Sequence, residues 1–264
     1  MGSGSQAEPS GYLAVLLAAA AWGTSGVFVT FVAAEADVSA LALAFWRDLT
    51  TFAVLSTTLA LFRRSWLRVD RRDLGWLLGL GASLGIFHVF WNLTVMVNGV
   101  AVATVQQAAM PAIVAVAAWA LWREPVTWPK IAAIALTFAG TVLVSGINAA
   151  GAVQLSPAGL ILGIGTPATY ASWNLFGKKV RQKYSPLTTL TYAFFFGWLV
   201  LLPLQFFTPQ PFPVPAPALL WFAALISLAT IAPFTAYTFA LGKLPASVAS
   251  ILAMSEIAFV AVYA

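Results

Sequence analysis

Apolar runs of membrane-crossing length follow one another along almost the whole of this chain, separated only by short loops, and that pattern leaves few folds open. A helix needs about 20 mostly apolar residues to cross the hydrocarbon core of a bilayer. Lipid offers the backbone no water, so each crossing must satisfy its own hydrogen bonds, as a helix does. Runs at about 12–33, 40–62, 74–98, 101–121, 130–147, 156–176, 187–207, 217–242 and 246–264 predict nine transmembrane helices. Composition agrees: 61% of the 264 residues are hydrophobic and 8% are charged, where a soluble protein carries roughly a quarter charged. The expected fold is an all-α, polytopic helical membrane protein with no soluble domain. Residues 1–11 lack the basic residues of a signal peptide and hold Gln6 where a myristoylation motif needs Ser or Thr, so they read as a disordered tail.

The formal charge is +5, and its distribution carries more information than its size. Arg63, Arg64, Arg68, Arg71 and Arg72 fall in the second loop and Arg123 and Lys130 in the fourth. Lys178, Lys179, Arg181 and Lys183 fall in the sixth, and Lys243 in the eighth. The odd loops carry Glu35 and Asp37, or only proline and polar residues. This asymmetry places the even loops and the N-terminus on the cytoplasmic side of the membrane. It is a topology signal, so no nucleic-acid partner is expected. Without cysteine there is no disulfide framework, thiolate metal site or cysteine nucleophile.

The chain also repeats itself. Residues 93–116, LTVMVNGVAVATVQQAAMPAIVAV, align without gaps on residues 239–262, FALGKLPASVASILAMSEIAFVAV. His88 then meets Phe234, Trp91 meets Tyr237, and Ala109-Met110-Pro111 meets Ser255-Glu256-Ile257. Residues 17–26 resemble residues 166–175 in the same way. A repeat of five spans, an odd number, makes the second copy enter from the opposite face, with a site near the midplane between copies. The expected units are 12–147 and 156–264. A tenth span is expected beyond Ala264, with the second copy's counterpart of Glu124 at its start.

With Trp22-Gly23, Arg47, the Ala-x-x-Pro element ending at Pro111, Arg123-Glu124-Pro125-Val126-Thr127 at the head of span 5, and Gly140, the chain resembles the EamA type of the drug/metabolite transporter superfamily. Within it the chain is most similar to YddG-type bacterial amino-acid exporters. It departs from the family pattern at Ile257, where the second repeat usually has proline after Glu256, and in the absent tenth span. The resemblance implies an exporter of aromatic and other amino acids, not an enzyme, with no cofactor and no metal. The partners it implies are an amino-acid substrate and the bilayer, and a monomer is compatible with the plan.

The residues that can carry such a function are polar or aromatic groups deep in apolar spans, where each needs a partner or a wet cavity. His88 lies about 21 Å into span 3 and Glu256 about 15 Å into span 9, both at mid-bilayer. His88, Trp91 and Asn92 share one helical face, with Gln107 in the next span. Trp22, Tyr170, Trp173 and Tyr237 fall mid-span, where aromatic faces hold an ammonium or stack on a ring. These nine residues are the expected substrate site. Pro111, Pro167 and Pro233 interrupt spans 4, 6 and 8, each freeing a carbonyl four residues back, and are expected to act as hinges. Arg47 is expected to serve in gating, reaching outward or toward loop carbonyls. It is not expected to pair with its neighbour Asp48, since adjacent helix residues do not face each other. Gly81 with Gly85 and Gly159 with Gly163 permit close helix packing.

Two other function classes fit parts of the sequence. Gly23-Thr24-Ser25-Gly26 matches the G-x-S-G string of an intramembrane serine protease, with His88 as base. A channel or scaffold would need no such site, but the chain shows no ring of pore charges. No phosphate-binding G-x-x-x-x-G-K-[ST] loop is present, so transport would draw on substrate or proton gradients.

Overall fold

The computed structural model describes residues 8–98, 100–144, 156–207 and 214–263. The regular elements among these residues are all helical. The first span is α1 (Pro9–Gly23) and α2 (Ser25–Glu35), interrupted at Thr24, whose hydroxyl donates back to the Ala21 carbonyl. α1 begins with Pro9 in its first turn, so three residues of the expected tail are helical, while residues 1–7 lie outside the described residues. Next come α3 (Ala40–Phe62), α4 (Leu74–Asn98), α5 (Val100–Gln107), α6 (Met110–Trp122) and α7 (Trp128–Val144). The second half holds α8 (Pro157–Val180), α9 (Pro186–Leu201), α10 (Leu219–Ile226), α11 (Ala232–Leu241), α12 (Ala246–Ala253) and α13 (Glu256–Tyr263). Serine hydroxyls set three of the starts: Ser39, Ser156 and Ser185 each accept from the backbone N–H three residues on, closing donors a helix otherwise leaves open.

Five stretches, Pro9–Glu35, Arg71–Thr94, Val102–Trp122, Pro186–Phe207 and Ala216–Leu241, are long and apolar enough to cross a bilayer. α3 and α8, of 23 and 24 residues, are as long and carry more polar side chains. Trp128–Leu143 and Ala246–Val260 are shorter apolar helices. Large apolar side chains such as Leu61, Leu136, Ile164 and Leu220 stand exposed around the bundle, as they do on a surface whose solvent is lipid.

The two halves pack in exchange. α4 lies against α8 as α11 lies against α1, and α5–α6 lie on α8 as α12–α13 lie on α1. α3 packs on α9, and α6 on α12. The α4–α9 crossing depends on glycine: a Cβ at Gly81 would sit 2.7 Å from the Ala193 carbonyl oxygen, and one at Gly85 2.7 Å from that of Gly197. Only a bare backbone fits so near a partner.

Four spans break at mid-length. α1 gives way to α2 at Thr24, and α5 to α6 at Ala108-Ala109. α10 passes into α11 through a π-helical segment, Ser227–Ile231, and α12 into α13 at Met254-Ser255. Met254-Ser255 is the repeat counterpart of Ala108-Ala109, so the break forms although Ile257 stands where the first copy has Pro111. Pro111 and Pro233 occupy the first turns of α6 and α11, where a missing N–H is tolerated. Pro167 sits inside an unbroken α8.

One end of the bundle gathers the loops at 63–73, 123–127, 181–185 and 242–245, with Lys183 bonded to Asp73, Lys130 to Ser247, and Lys243 to Glu8. This is the basic end. The opposite end holds the α2–α3 connection and the ends of α4 and α5, while Gly99 and residues 145–155 lie outside the described residues.

Candidate functional site

The first component of the site is a chain of rings at the centre, contributed by both halves. The Trp173 and Tyr237 rings stack 5.5 Å apart at 20°, and the Trp22 ring lies 5.2 Å from Tyr237 and 5.1 Å from Phe234. Tyr170 stands 5.8 Å from Trp173 and stacks on Phe87 at 4.6 Å. Helical spacing explains the order: Tyr170 and Trp173 are three residues apart on α8, as Phe234 and Tyr237 are on α11. All these rings except the half-buried Phe87 are buried, Trp173 and Tyr237 almost completely. Each such ring pair contributes about 0.5–1.5 kcal/mol beyond area burial.

Polar groups thread this cluster. The Tyr237 hydroxyl donates to Asn174 Oδ1, and Asn174 Nδ2 donates to the Tyr170 carbonyl at 2.9 Å. The indole N–H groups of Trp22 and Trp173 are buried with no hydrogen-bond partner among the described residues. An unmade bond at such a donor costs about 1–3 kcal/mol, so two of them at one centre, one per half, mark a place built to meet an acceptor.

Ionisable groups form the second component. His88 is buried on α4, with Nδ1 3.0 Å from Oδ1 of the fully buried Asp48 on α3. The two atoms are close without forming an aligned hydrogen bond. Arg47 turns the other way: its Nε donates to Thr230 Oγ1 at 2.9 Å, and its guanidinium lies 5.9 Å from the Phe234 ring centroid. Arg47 thus ties α3 to the π-helical segment before Pro233, across the two halves, where outward reach or a loop carbonyl was expected. Glu256, in the first turn of α13, lies within electrostatic reach of Arg47 and Tyr170; an acid is favoured there by the helix dipole.

Of the expected site residues, Trp22, Tyr170, Trp173 and Tyr237 come together directly, and His88 joins them through Phe87, whose ring lies 5.6 Å from the imidazole. Glu256 borders the group. Trp91 and Asn92 are half-buried on α4, and Trp91 has no ring contact with the cluster among the described residues. Gln107 is buried at the end of α5, with its side-chain oxygen unbonded among the described residues, and its neighbour Gln106 accepts from Asn98 instead. Asp48, Asn174, Phe234 and Thr230 belong to the site and were not expected in it. Asp48 alone had a legible signal, as an acid deep in an apolar span. Ser25 makes no hydrogen bond to His88 among the described residues, and the imidazole faces Asp48, so no Ser–His dyad is assembled.

The model of the EamA-like transporter family matches this chain twice, over residues 9–146 and again over 157–264. The chain belongs to the EamA-like transporter family. It is 29% identical over 265 residues to the uncharacterized inner membrane transporter YicL of Salmonella typhimurium, covering 93% of this chain and 83% of that one. It is 28% identical over 153 residues to an uncharacterized transporter of Archaeoglobus fulgidus, a match that spans 58% of this chain and about half (54%) of that protein. A solved crystal structure shares the fold with a TM-score of 0.76 at 19% identity, over 95% of this chain and 85% of that one.

In this EamA-like transporter the segment after α6 has a definite structural task. Arg123 takes a left-handed conformation (φ 56°) that closes α6, with the Glu124 N–H bonded to the Ala118 carbonyl. That turn aims Glu124 at the start of α12, where its carboxylate accepts from the Ala246 and Ser247 N–H groups at 2.9 and 3.3 Å and from the Ser247 hydroxyl at 2.6 Å. Lys130 completes the set, bonding both Ser247 Oγ and the Pro125 carbonyl.

Proposed function

We propose that this transporter exports amino acids, aromatic ones among them, or similar small metabolites across the bacterial inner membrane. It works by alternating access between two inverted repeats, 12–147 and 156–264, with the basic end and the N-terminus cytoplasmic. The carrying observation is the pair of unpartnered indole N–H groups, Trp22 from one half and Trp173 from the other, inside one shared aromatic cluster. Two unpartnered donors in one cluster suit a carboxylate, stacked rings suit an aromatic side chain, and Glu256 and the ring faces suit an ammonium. His88, Trp91, Asn92, Gln107, Trp173, Tyr237 and Glu256, with Trp22 and Tyr170, line the substrate's path in this reading. Pro111, Pro167 and Pro233 mark where spans bend as the halves rock, and Arg47 gates by holding α3 to Thr230. Bound substrate has to part the central rings, which couples binding to movement of one half against the other.

The test is counterflow of labelled L-phenylalanine in liposomes holding the purified full chain. The parent is expected to exchange label and Trp173→Ala to lose at least about tenfold in rate, matching the loss of a stacking and hydrogen-bonding residue worth about 1.4 kcal/mol or more. Trp91→Ala, whose ring makes no contact with the cluster among the described residues, is expected to lose less. A parent that exchanges no amino acid would refute the substrate assignment.

A further inference from the structure

Between α3 and α4 the chain runs Arg63-Arg64-Ser65-Trp66-Leu67-Arg68-Val69-Asp70-Arg71-Arg72-Asp73, which sets five guanidinium groups against two carboxylates. The carboxylates are already engaged by the second half: the Lys183 ammonium bonds Asp73 and reaches Asp70 at 3.4 Å, and the Tyr184 hydroxyl donates to Asp73 at 2.6 Å. All five arginines are exposed, and none of their guanidinium groups has an ion pair or hydrogen bond among the described residues. Arg63 lies over the Trp66 ring, 5.8 Å from its centroid. The segment is nonetheless held in shape. Two short 3₁₀ turns, Arg64–Leu67 and Arg71–Asp73, fold it. Its backbone is bonded by the second half: the Thr188 hydroxyl donates to the Trp66 carbonyl at 3.0 Å, the Tyr192 hydroxyl donates to the Leu67 carbonyl at 2.8 Å, and the Asp70 N–H donates to the Tyr184 hydroxyl at 3.0 Å.

Depth decides what can reach these charges. Leu61 and Phe62, 74% and 77% exposed, immediately precede Arg63, and Leu74, Trp76 and Leu78 are exposed just after Asp73. Such side chains face acyl tails in a bundle whose solvent is lipid, and Trp66 and Trp76 are of the aromatic type that settles at the boundary. The guanidinium groups therefore stand at the level of the bilayer's phosphodiester groups, and Lys179 adds a cation 5.8 Å from the Trp76 ring centroid. A guanidinium fork matches phosphate oxygens, and about four to eight basic residues at the end of a span suit an anionic surface. We infer that residues 63–73 form a binding surface for the headgroups of anionic phospholipids in the leaflet at the basic end, with Leu61 and Phe62 against the acyl chains. Topology requires only an excess of positive charge on one side of the membrane; a fixed group of unpaired guanidiniums in one place also selects lipids by headgroup charge. Because the same segment is bonded to Tyr184, Thr188 and Tyr192, bound headgroups brace the junction between the halves. The surface is independent of what the protein carries.

The test is native mass spectrometry of the purified full chain in neutral detergent, titrated with dioleoylphosphatidylglycerol or, with the same acyl chains, dioleoylphosphatidylcholine. The anionic lipid is expected to bind the parent at least about tenfold more tightly, and a higher ammonium acetate concentration should shrink the preference. A variant carrying Arg63→Gln, Arg64→Gln, Arg68→Gln, Arg71→Gln and Arg72→Gln should bring the two lipids to within about twofold of each other. Lys243→Gln, which removes a charge at the same end but outside the segment, should leave the preference as it is. Equal affinities in the parent overturn the lipid surface, and that reading needs no variant to fold. A preference that survives in the five-residue variant, or that Lys243→Gln weakens as much, assigns selectivity to net charge and overturns the local surface. Displacement of the bound lipid by millimolar glycerol 3-phosphate would mean a soluble phosphate site and overturn the assignment to lipid.

Discussion

The two ends of the bundle are held together by different forces. At the basic end the halves meet through directed polar contacts, Glu124 on the start of α12 and Tyr184 on Asp73 and the Asp70 N–H, while Lys178 on the Leu241 and Leu244 carbonyls and Arg181 on the Thr238 carbonyl brace the second half internally. At the opposite end the described contacts between halves are mainly apolar. Val32 and Leu43 of the first half pack with Val214, Phe222 and Leu225 of the second, supplemented by Asn98 donating to the Gly159 carbonyl at 2.8 Å. Directed bonds to charged groups form or break as a unit, whereas apolar faces slide with little change in energy. In the proposed alternating-access reading the basic end is a latch and the far end a sliding contact, with the broken helices between them.

Substitutions that attack one end and spare the other can break or sharpen this contrast. The largest effect is expected for Glu124→Ala, which removes the acceptor of three bonds across the halves. At about 1.5–3 kcal/mol for a hydrogen bond to a charged group, with partial rescue by water, the closed basic end should lose about 3 kcal/mol. That appears as a rise in maleimide labelling of Ser250→Cys of roughly a hundredfold; unchanged labelling would mean that the latch holds nothing shut. Asn98→Ala should cost about 1–2 kcal/mol at the far end, since it strips two neutral bonds, to Gly159 and Gln106. Thermal unfolding in detergent should register that loss without faster labelling at Ser250→Cys, and faster labelling there would erase the distinction between ends.

The smallest effect belongs to Glu8 and Lys243. The Lys243 ammonium, bonded to the Glu8 carboxyl, holds it below the usual carboxylate range. A depressed acid contributes stability above its unfolded value and loses it as pH falls through the folded one. Parent and Glu8→Gln should therefore differ slightly in melting temperature at neutral pH and converge in acid, and added salt should shrink the difference because the pair is exposed. A difference that persists in acid would locate the effect elsewhere than in charge.

Much of the fold was legible in the sequence because spans in lipid are dictated by local composition. The helix breaks were half legible. Pro111 and Pro233 pointed to two of them, whereas the break at Met254-Ser255 forms without a proline and could be anticipated only from the repeat alignment. The central rings were readable as mid-span aromatics, since depth follows from position along a span. Which face each presents follows from the crossing of helices, so sequence position alone did not show that Trp91 makes no ring contact with the cluster among the described residues or that Gln107 is buried with its side-chain oxygen unbonded there. Arg47 and Asp48 show the same limit: adjacency on a helix fixed that they diverge, but only packing decides that one meets Thr230 and the other His88.

The most direct test of the central claim, that the halves rock about a shared centre, is a pair of spin-label distances measured by pulsed EPR. The cysteine-free chain is labelled across the basic end through Val126→Cys and Val248→Cys, and separately across the far end through Val97→Cys and Ile161→Cys. With and without saturating phenylalanine, one distance should lengthen as the other shortens. Two distances that stay fixed, or that move in the same direction, would contradict the account.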